Sequence, residues 1–354
     1  MYEIPNNLLT DGLCYGRKWF TTLDFFEKFL CKSVNDYFEW EGDIFSELTE
    51  EELNFVKKDK IVLDSSWNSY NMQKLYFLIH ESCIKNNIPE QNIILLTANL
   101  SREYEVYANW FSSSNYKTRI NTFPFPIFLS MSQNINNDVV LDSVKYDKFV
   151  TFSRNPRNHR NVMNYKLLTE NLPVDLSQSA VDDSVLQEHC KDFNVDFTHK
   201  NLFEKNISID RNDYDNSPVK WTESHSNFLA HYKFVLAQDT VLGDYGFYMT
   251  EKVWKGILYE RPIIIWGQTG ANHYLKEMGF KLYDKFFDLS FDFEKDNAKR
   301  LSMLVEELKA ASVRMLDKDW LDRDKETLEY NRNYLLSQDC LKEWLTPLKA
   351  IAEL

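Results

Sequence analysis

Short apolar runs, each followed by a helix-length segment, constrain this chain more than any other feature. Lys60–Asp64 (KIVLD) reads as a buried strand, about Tyr70–Lys85 as a helix, and Asn92–Thr97 (NIILLT) as the next strand. Strand, helix and strand at this spacing make a βαβ unit and a parallel sheet. Thr122–Leu129 (TFPFPIFL) is expected to be extended, because its two prolines oppose a helix. A second series follows. Lys148–Phe152, Lys233–Ala237 and Pro262–Trp266 read as strands; about His159–Glu170, Glu251–Tyr259 and Ala271–Met278 read as helices. Leu301, Leu304, Val305 and Leu308 mark an amphipathic helix, and two more are expected over about 319–337 and 339–353. The stretch 172–222, rich in Asp and Asn, reads as a loop-like insertion.

The fold class expected from this pattern is α/β, with two Rossmann-like halves facing a cleft and helices at the C-terminal end. The 354 residues suit two domains at roughly 100–200 residues each. The division runs 1–147, 148–318 and 319–354, with the last helices packing back on the N-terminal part; a single large α/β domain is the alternative.

Charge and cysteine narrow the function classes. A net charge of −13 disfavours a general nucleic-acid binder, without excluding a local basic site. The five cysteines are scattered, with no CxxC or Cys/His spacing, so neither a zinc site nor a disulfide framework is expected. The longest apolar runs fall far short of the ~20 residues of a membrane-spanning helix. No basic region leads into an apolar stretch at the N-terminus, so no secretion signal is read and a cytoplasmic setting is expected.

Six of the nine glycines lie within residues 243–279. Glycine serves where a backbone takes positive φ or approaches a ligand, so this window is searched first for a site. It holds Tyr248-Met249-Thr250-Glu251-Lys252, in which Thr250 is placed to cap a helix beginning at Glu251. Glu251 suits the helix dipole and could also accept ribose hydroxyls. Lys252 in the first turn opposes the dipole by a few tenths of a kcal/mol, and a bound phosphate would compensate it. Upstream, Ser153-Arg154-Asn155-Pro156-Arg157-Asn158-His159-Arg160 places three arginines at a strand-to-helix turn, where a diphosphate could be held. No glycine-rich dinucleotide fingerprint is present there.

The run Tyr248-x-Thr250-Glu251-Lys252, the helix after it and Pro262-Ile263-Ile264-Ile265-Trp266-Gly267 resemble the donor-binding motif of the α1,3-fucosyltransferase-like glycosyltransferases. Ser153, Asn155, Arg160 and Leu167 match that family's upstream turn, so the resemblance spans about residues 148–285. It implies a GT-B fold, a nucleotide-diphosphate sugar as co-substrate and an inverting hexosyl or pentosyl transfer. By match, Arg160 and Lys252 would hold the diphosphate, Glu251 the ribose, and Tyr248 would line the donor pocket, with Ser153, Arg154, Asn155, Arg157 and Thr250 around them. The family carries Phe-Glu-Asn-Ser where this chain has Ala237-Gln238-Asp239-Thr240.

An inverting transfer needs a general base. The candidates are Asp64, at the end of a predicted strand, and Glu103 and Glu105, after the next one; Asp64 is favoured on position. Trp67, Tyr70, Tyr104, Tyr107 and Trp110 near these acids would suit an acceptor cleft. No DxD stands in a strand-to-loop context, so no metal is expected, and Arg157, Arg160 and Lys252 would neutralise the leaving group. The acceptor is expected to be a glycan. One alternative is a bacteriophage DNA-modifying enzyme, with glucosyl- or arabinosyl-type transfer to a hydroxymethylated pyrimidine. Another is a non-catalytic nucleotide-sugar-binding module. Both enzyme readings fit a bacterial or phage-infected host cell.

Overall fold

The computed structural model describes residues 30–34, 42–65, 72–100, 103–133, 144–153, 156–207, 229–243 and 247–352. It is an α/β protein of two compact units. The first comprises Met1–Asn134, Tyr245–Tyr248 and Leu341–Leu354, the second Ile135–Asp244 and Met249–Cys340.

The sheet of the first unit contains β1 (Leu30–Ser33), β2 (Ile61–Ser65), β3 (Ile93–Thr97) and β4 (Asn121–Pro124), parallel and in that spatial order. Every residue of β2 and β3 is buried, as in a parallel sheet covered on both faces. The connecting helices are α1 (Glu50–Val56), α2 (Met72–Asn86), α3 (Glu103–Ser113) and α4 (Ile127–Gln133). A reciprocal cap starts α1: Thr49 Oγ1 accepts from Glu52 N (3.2 Å) and Glu52 Oε2 from Thr49 N (2.7 Å). Ile61, Leu63, Leu75, Ile79, Ile93, Leu95 and Tyr107 belong to one continuous core.

The second unit holds β5 (Phe149–Ser153), β6 (Val174–Gln178), β7 (Val235–Gln238) and β8 (Ile263–Trp266), again all parallel, in the order β6-β5-β7-β8. Its helices are α5 (Asn158–Thr169), α6 (Asp183–Asp192), α7 (Glu251–Leu258), α8 (Ala271–Glu277), α9 (Asn297–Arg314) and α10 (Lys325–Leu336); the last helix, α11, spans Asp339–Ala352. Among the described residues no helix is long and apolar enough to cross a membrane.

Two expectations are corrected. Residues 172–222 are not simply a loop: they contain β6 and α6. Strand β6, Val-Asp-Leu-Ser-Gln, lies at the edge of its sheet and carries only two apolar residues, too few to stand out. Ile127–Leu129 are helical, because Pro126 precedes the first turn, where its missing N–H costs nothing. In the glycine window, Gly270 and Gly279 take positive φ (84° and 92°), as glycine permits, and packing also needs the absence of a side chain. A Cβ on Gly256 would stand 2.2 Å from Ile263 Cγ2, and one on Gly279 would strike the Tyr334 ring. Gly246 lies outside the described residues.

Candidate functional site

The order β6-β5-β7-β8 contains a reversal. The chain leaves β5 for β6 on one side, then returns past β5 to β7 on the other. Where connections diverge in this way, the carboxyl ends of the strands border a crevice, the usual ligand position in such sheets. Here the diverging ends are Ser153 of β5 and Gln238 of β7.

A buried polar network fills the sheet below this edge. Gln238 Nε2 donates to Thr151 Oγ1 (3.0 Å) and Asn164 Oδ1 (2.6 Å). Asn164 Nδ2 donates to Ser153 Oγ (2.5 Å) and Gln178 Oε1 (2.6 Å), and Gln178 Nε2 to Asn161 Oδ1 (2.9 Å). These groups come from β5, β6, β7 and α5, so the strand ends are held to one another and to the helix by hydrogen bonds. Buried polar groups need such partners, and in this network Gln238 Oε1 is left without one.

The first turn of α5 closes over β7. Arg160 is buried (2% exposed). Its Nε donates to Asp239 O (3.0 Å), and its Nη2 to Gln238 O and Thr240 Oγ1 (both 3.0 Å). His159 Nε2 lies 2.9 Å from the same Asp239 carbonyl. A carbonyl only accepts, so this nitrogen carries the hydrogen. Burial, chiefly, pushes the imidazole pKa down to about 3 and keeps it neutral. The sequence assigns Arg160 to the diphosphate; the structure has its guanidinium holding the main chain after β7. Arg157 is exposed at the N-cap position of α5, and Ser153 is buried, with its hydroxyl donating to Ser177 O (3.1 Å). Arg154 and Asn155 lie outside the described residues.

Helix α7 begins with Thr250 at its N-cap, as its sequence position implies, but the hydroxyl makes no cap bond to its own helix. Instead Thr250 N donates to Asp239 Oδ1 (3.2 Å). Lys252 Nζ donates to Glu251 Oε1 (2.6 Å), both side chains being mostly buried. The lysine that opposes the dipole is therefore compensated by its own neighbour. Burial raises the Glu251 pKa, but Lys252 and Lys255 outweigh it, so the carboxylate is held below its ordinary range.

Asp239 is the residue that motif reasoning missed as part of this site. It is buried at the end of β7, and burial, against the pull of Lys252 and Arg160, pushes its pKa up to about 6. The signal was positional: an acid directly after a strand of a parallel sheet. Gly267 gives it room, since a Cβ there would stand 2.9 Å from Asp239 Cβ.

In the first unit, Asp64 lies fully buried in β2, in register with Ser33 and Leu96. Glu103, in the first turn of α3, is also buried; Tyr76 OH donates to its Oε1 (2.6 Å). Burial, partly offset by the hydrogen bond from Tyr76, pushes its pKa up to about 7. Glu105 is exposed on the same helix. Tyr248 is buried edge-on against Phe128 (6.1 Å) in this unit. The aromatic group expected to line a cleft is largely packing: Tyr107 is in the core, and Trp110 packs with Tyr76, Tyr107 and Tyr116. Tyr104 is exposed, while Trp67 and Tyr70 lie outside the described residues.

No family model matches the chain, and no curated protein matches it. Among solved structures it is similar to T4 phage β-glucosyltransferase. A mutant of that enzyme in complex with UDP-glucose is 15% identical, with a TM-score of 0.43, over 95% of this chain and 86% of that one. The same enzyme with UDP and Mn²⁺ is 14% identical, with a TM-score of 0.41 over the same shares. An α1,3-fucosyltransferase is 13% identical, with a TM-score of 0.33, over 83% of this chain and 88% of that one. Among the described residues no group of three or more His, Cys, Asp and Glu side chains could hold a metal ion.

Proposed function

We propose that this protein is an inverting glycosyltransferase of the GT-B kind, using a nucleotide-diphosphate sugar. The observation that carries the reading is the gathering of Lys252, Glu251 and Asp239 at the strand-order reversal of the second sheet, on a frame that Arg160 holds in place. A lysine already in ion-pair contact at a helix start can exchange its carboxylate for a phosphate without a change of fold. Glu251 then accepts the ribose hydroxyls, and the exposed Arg157 adds positive charge.

In the transfer, the bond from the anomeric carbon to the diphosphate oxygen breaks and a bond to the acceptor oxygen forms. The diphosphate departs with the electron pair, and the acceptor's proton passes to a carboxylate. We assign that carboxylate to Glu103. Asp64 is set aside because it is fully buried within β2, paired with strands on both sides. Glu103 is also buried and held by Tyr76, but it opens a helix rather than lying within a strand, and a pKa of about 7 suits a base at neutral pH. Lys252 and Arg157 offset the leaving-group charge, so turnover needs no metal.

The acceptor is read as a glycan, because a net charge of −13 counts against a polyanion. The test is a thermal-shift screen with UDP-, GDP-, CMP- and dTDP-sugars. A ligand at 100 times its Kd adds about 2.7 kcal/mol of stability, a clear rise in Tm. A response to diphosphate sugars supports the reading; none, or one to CMP-sugars alone, refutes it. Transfer assays with glycans and with hydroxymethylated DNA then decide the acceptor.

A further inference from the structure

Asp239 ties together three elements of the second unit through its main chain. Its N–H donates to Trp266 O at the end of β8 (2.8 Å), and its carbonyl receives His159 and Arg160 from α5. Its carboxylate adds a fourth connection: Oδ1 accepts from Thr240 N and from Thr250 N, the residue that opens α7 (both 3.2 Å). The donor-side helix start is thus anchored on a carboxyl buried within the sheet edge.

The charges around this carboxyl are few. From α5 it is faced by Arg160 and by the neutral His159, which itself lies in the field of Arg157 and Arg300. From α7 it is faced by Glu251 and Lys252, and Lys255 acts on Glu251. The β8 side presents Gly267, without charge. Lys252 therefore serves two acids: it contacts Glu251 and attracts Asp239 through space.

We propose that Asp239 takes up a proton when Lys252 engages a diphosphate, acting as the positioning residue that keeps the start of α7 in place while the charge balance of the site changes. This rests on the donor-site reading above. A diphosphate brings negative charge towards Asp239 and draws on Lys252, a cation it shares with Glu251. Both effects favour the neutral carboxyl. Asp239 responds before Glu251, because burial already places its pKa near 6, whereas the lysines hold Glu251 below its ordinary range. A protonated carboxyl still accepts from Thr250 N, so the anchor survives. The sign of the linkage follows: binding that takes up a proton strengthens as pH falls towards 6.

The probes are UDP-glucose and GDP-fucose, whose diphosphates carry no proton that titrates between pH 6 and 8. Calorimetric titrations near pH 7 in PIPES and in imidazole, buffers of low and high ionisation enthalpy, measure proton uptake directly. The wild type is expected to take up a substantial fraction of a proton per donor bound. Asp239→Asn, which keeps the acceptor oxygen, is expected to bind with heats that no longer depend on the buffer. Binding with equal heats in both buffers overturns the proposal alone, as does uptake that persists in Asp239→Asn. Absence of binding by UDP-glucose, GDP-fucose and a dTDP-sugar alike overturns the donor-site reading and the proposal with it. Should the variant fail to fold, infrared difference spectra of wild type labelled with ¹³C-aspartate decide. A protonated-carboxyl band appearing with donor supports the proposal, and its absence refutes it.

Discussion

The two sheets have the same number of strands, all parallel, and bury the same kinds of residue, yet they end differently. In the first, β1 to β4 lie side by side in chain order, so every crossover steps in one direction and none of the described strands diverges from its neighbour. Its polar ends, Asp64, Ser65 and Thr97, are simply buried. In the second, the order reverses between β5 and β7, and at that point the amides, Arg160, His159 and Asp239 collect. A reversal separates two connections and leaves strand ends to be held by something other than the next loop. The difference teaches that topology, more than strand composition, decides which sheet edge becomes a site.

The largest expected effect would test the first unit's share of the chemistry. Glu103→Gln is expected to lower kcat by about 10²–10⁴-fold, the usual worth of a general base, with donor affinity unchanged. Asp64→Asn is expected to act through stability rather than through kcat. Equal kcat for Glu103→Gln and wild type would remove the first unit's carboxylate from the mechanism. The same variant has a stability signature. The folded pKa of about 7 lies above the ordinary 4.5, so the folded state holds the proton more tightly. Stability from this group is full below about pH 4.5 and is lost as pH rises through about 7, a change on the order of 3 kcal/mol. Urea titrations across that range should show the slope flattened in Glu103→Gln.

Next in size is Lys252→Ala. Loss of a charge-assisted bond worth about 1.5–3 kcal/mol should weaken nucleotide-sugar binding roughly 10- to 150-fold with the fold intact. Titration calorimetry giving the same affinity for both proteins would take the donor away from the second sheet's edge.

Gln238→Glu sharpens the comparison from inside the sheet. The family's glutamate at this position would set a carboxylate oxygen where Gln238 now donates to Asn164 and Thr151. Without those donors, unfolding free energy by urea should fall by about 1–3 kcal/mol. A neutral result would mean that the amide network rearranges freely and is not what holds the strand ends. The smallest effect is expected from chelation: activity in EDTA should match activity without it, and a loss restored by Mg²⁺ or Mn²⁺ would refute the metal-free mechanism.

Most strands were legible because Ile61–Leu63, Ile93–Leu96 and Ile263–Ile265 are apolar on both faces, a pattern that few other structures share. Strand β6 was not, since an edge strand needs less apolar surface, and neither was α3, whose buried face is carried mainly by Glu103 and Tyr107. Thr250, Glu251 and Lys252 were found by motif and stand together. Arg160 was found as a residue, but its partners were invisible: a guanidinium that binds carbonyl oxygens leaves no complementary acid in the sequence. Asp239 was passed over for the opposite reason, because its partners are spread along the chain, from Thr250, 11 residues on, to His159, 80 residues back.

Arg160 and His159 grip the turn after β7 largely by its carbonyl oxygens, which every amino acid supplies. That part of the frame does not depend on side chains, whereas the Gln238, Asp239 and Thr240 side chains add bonds of their own. Substitutions that leave the main chain in place keep the grip of Arg160 and His159 on it. Rigidity written into the main chain leaves the side chains open to innovation.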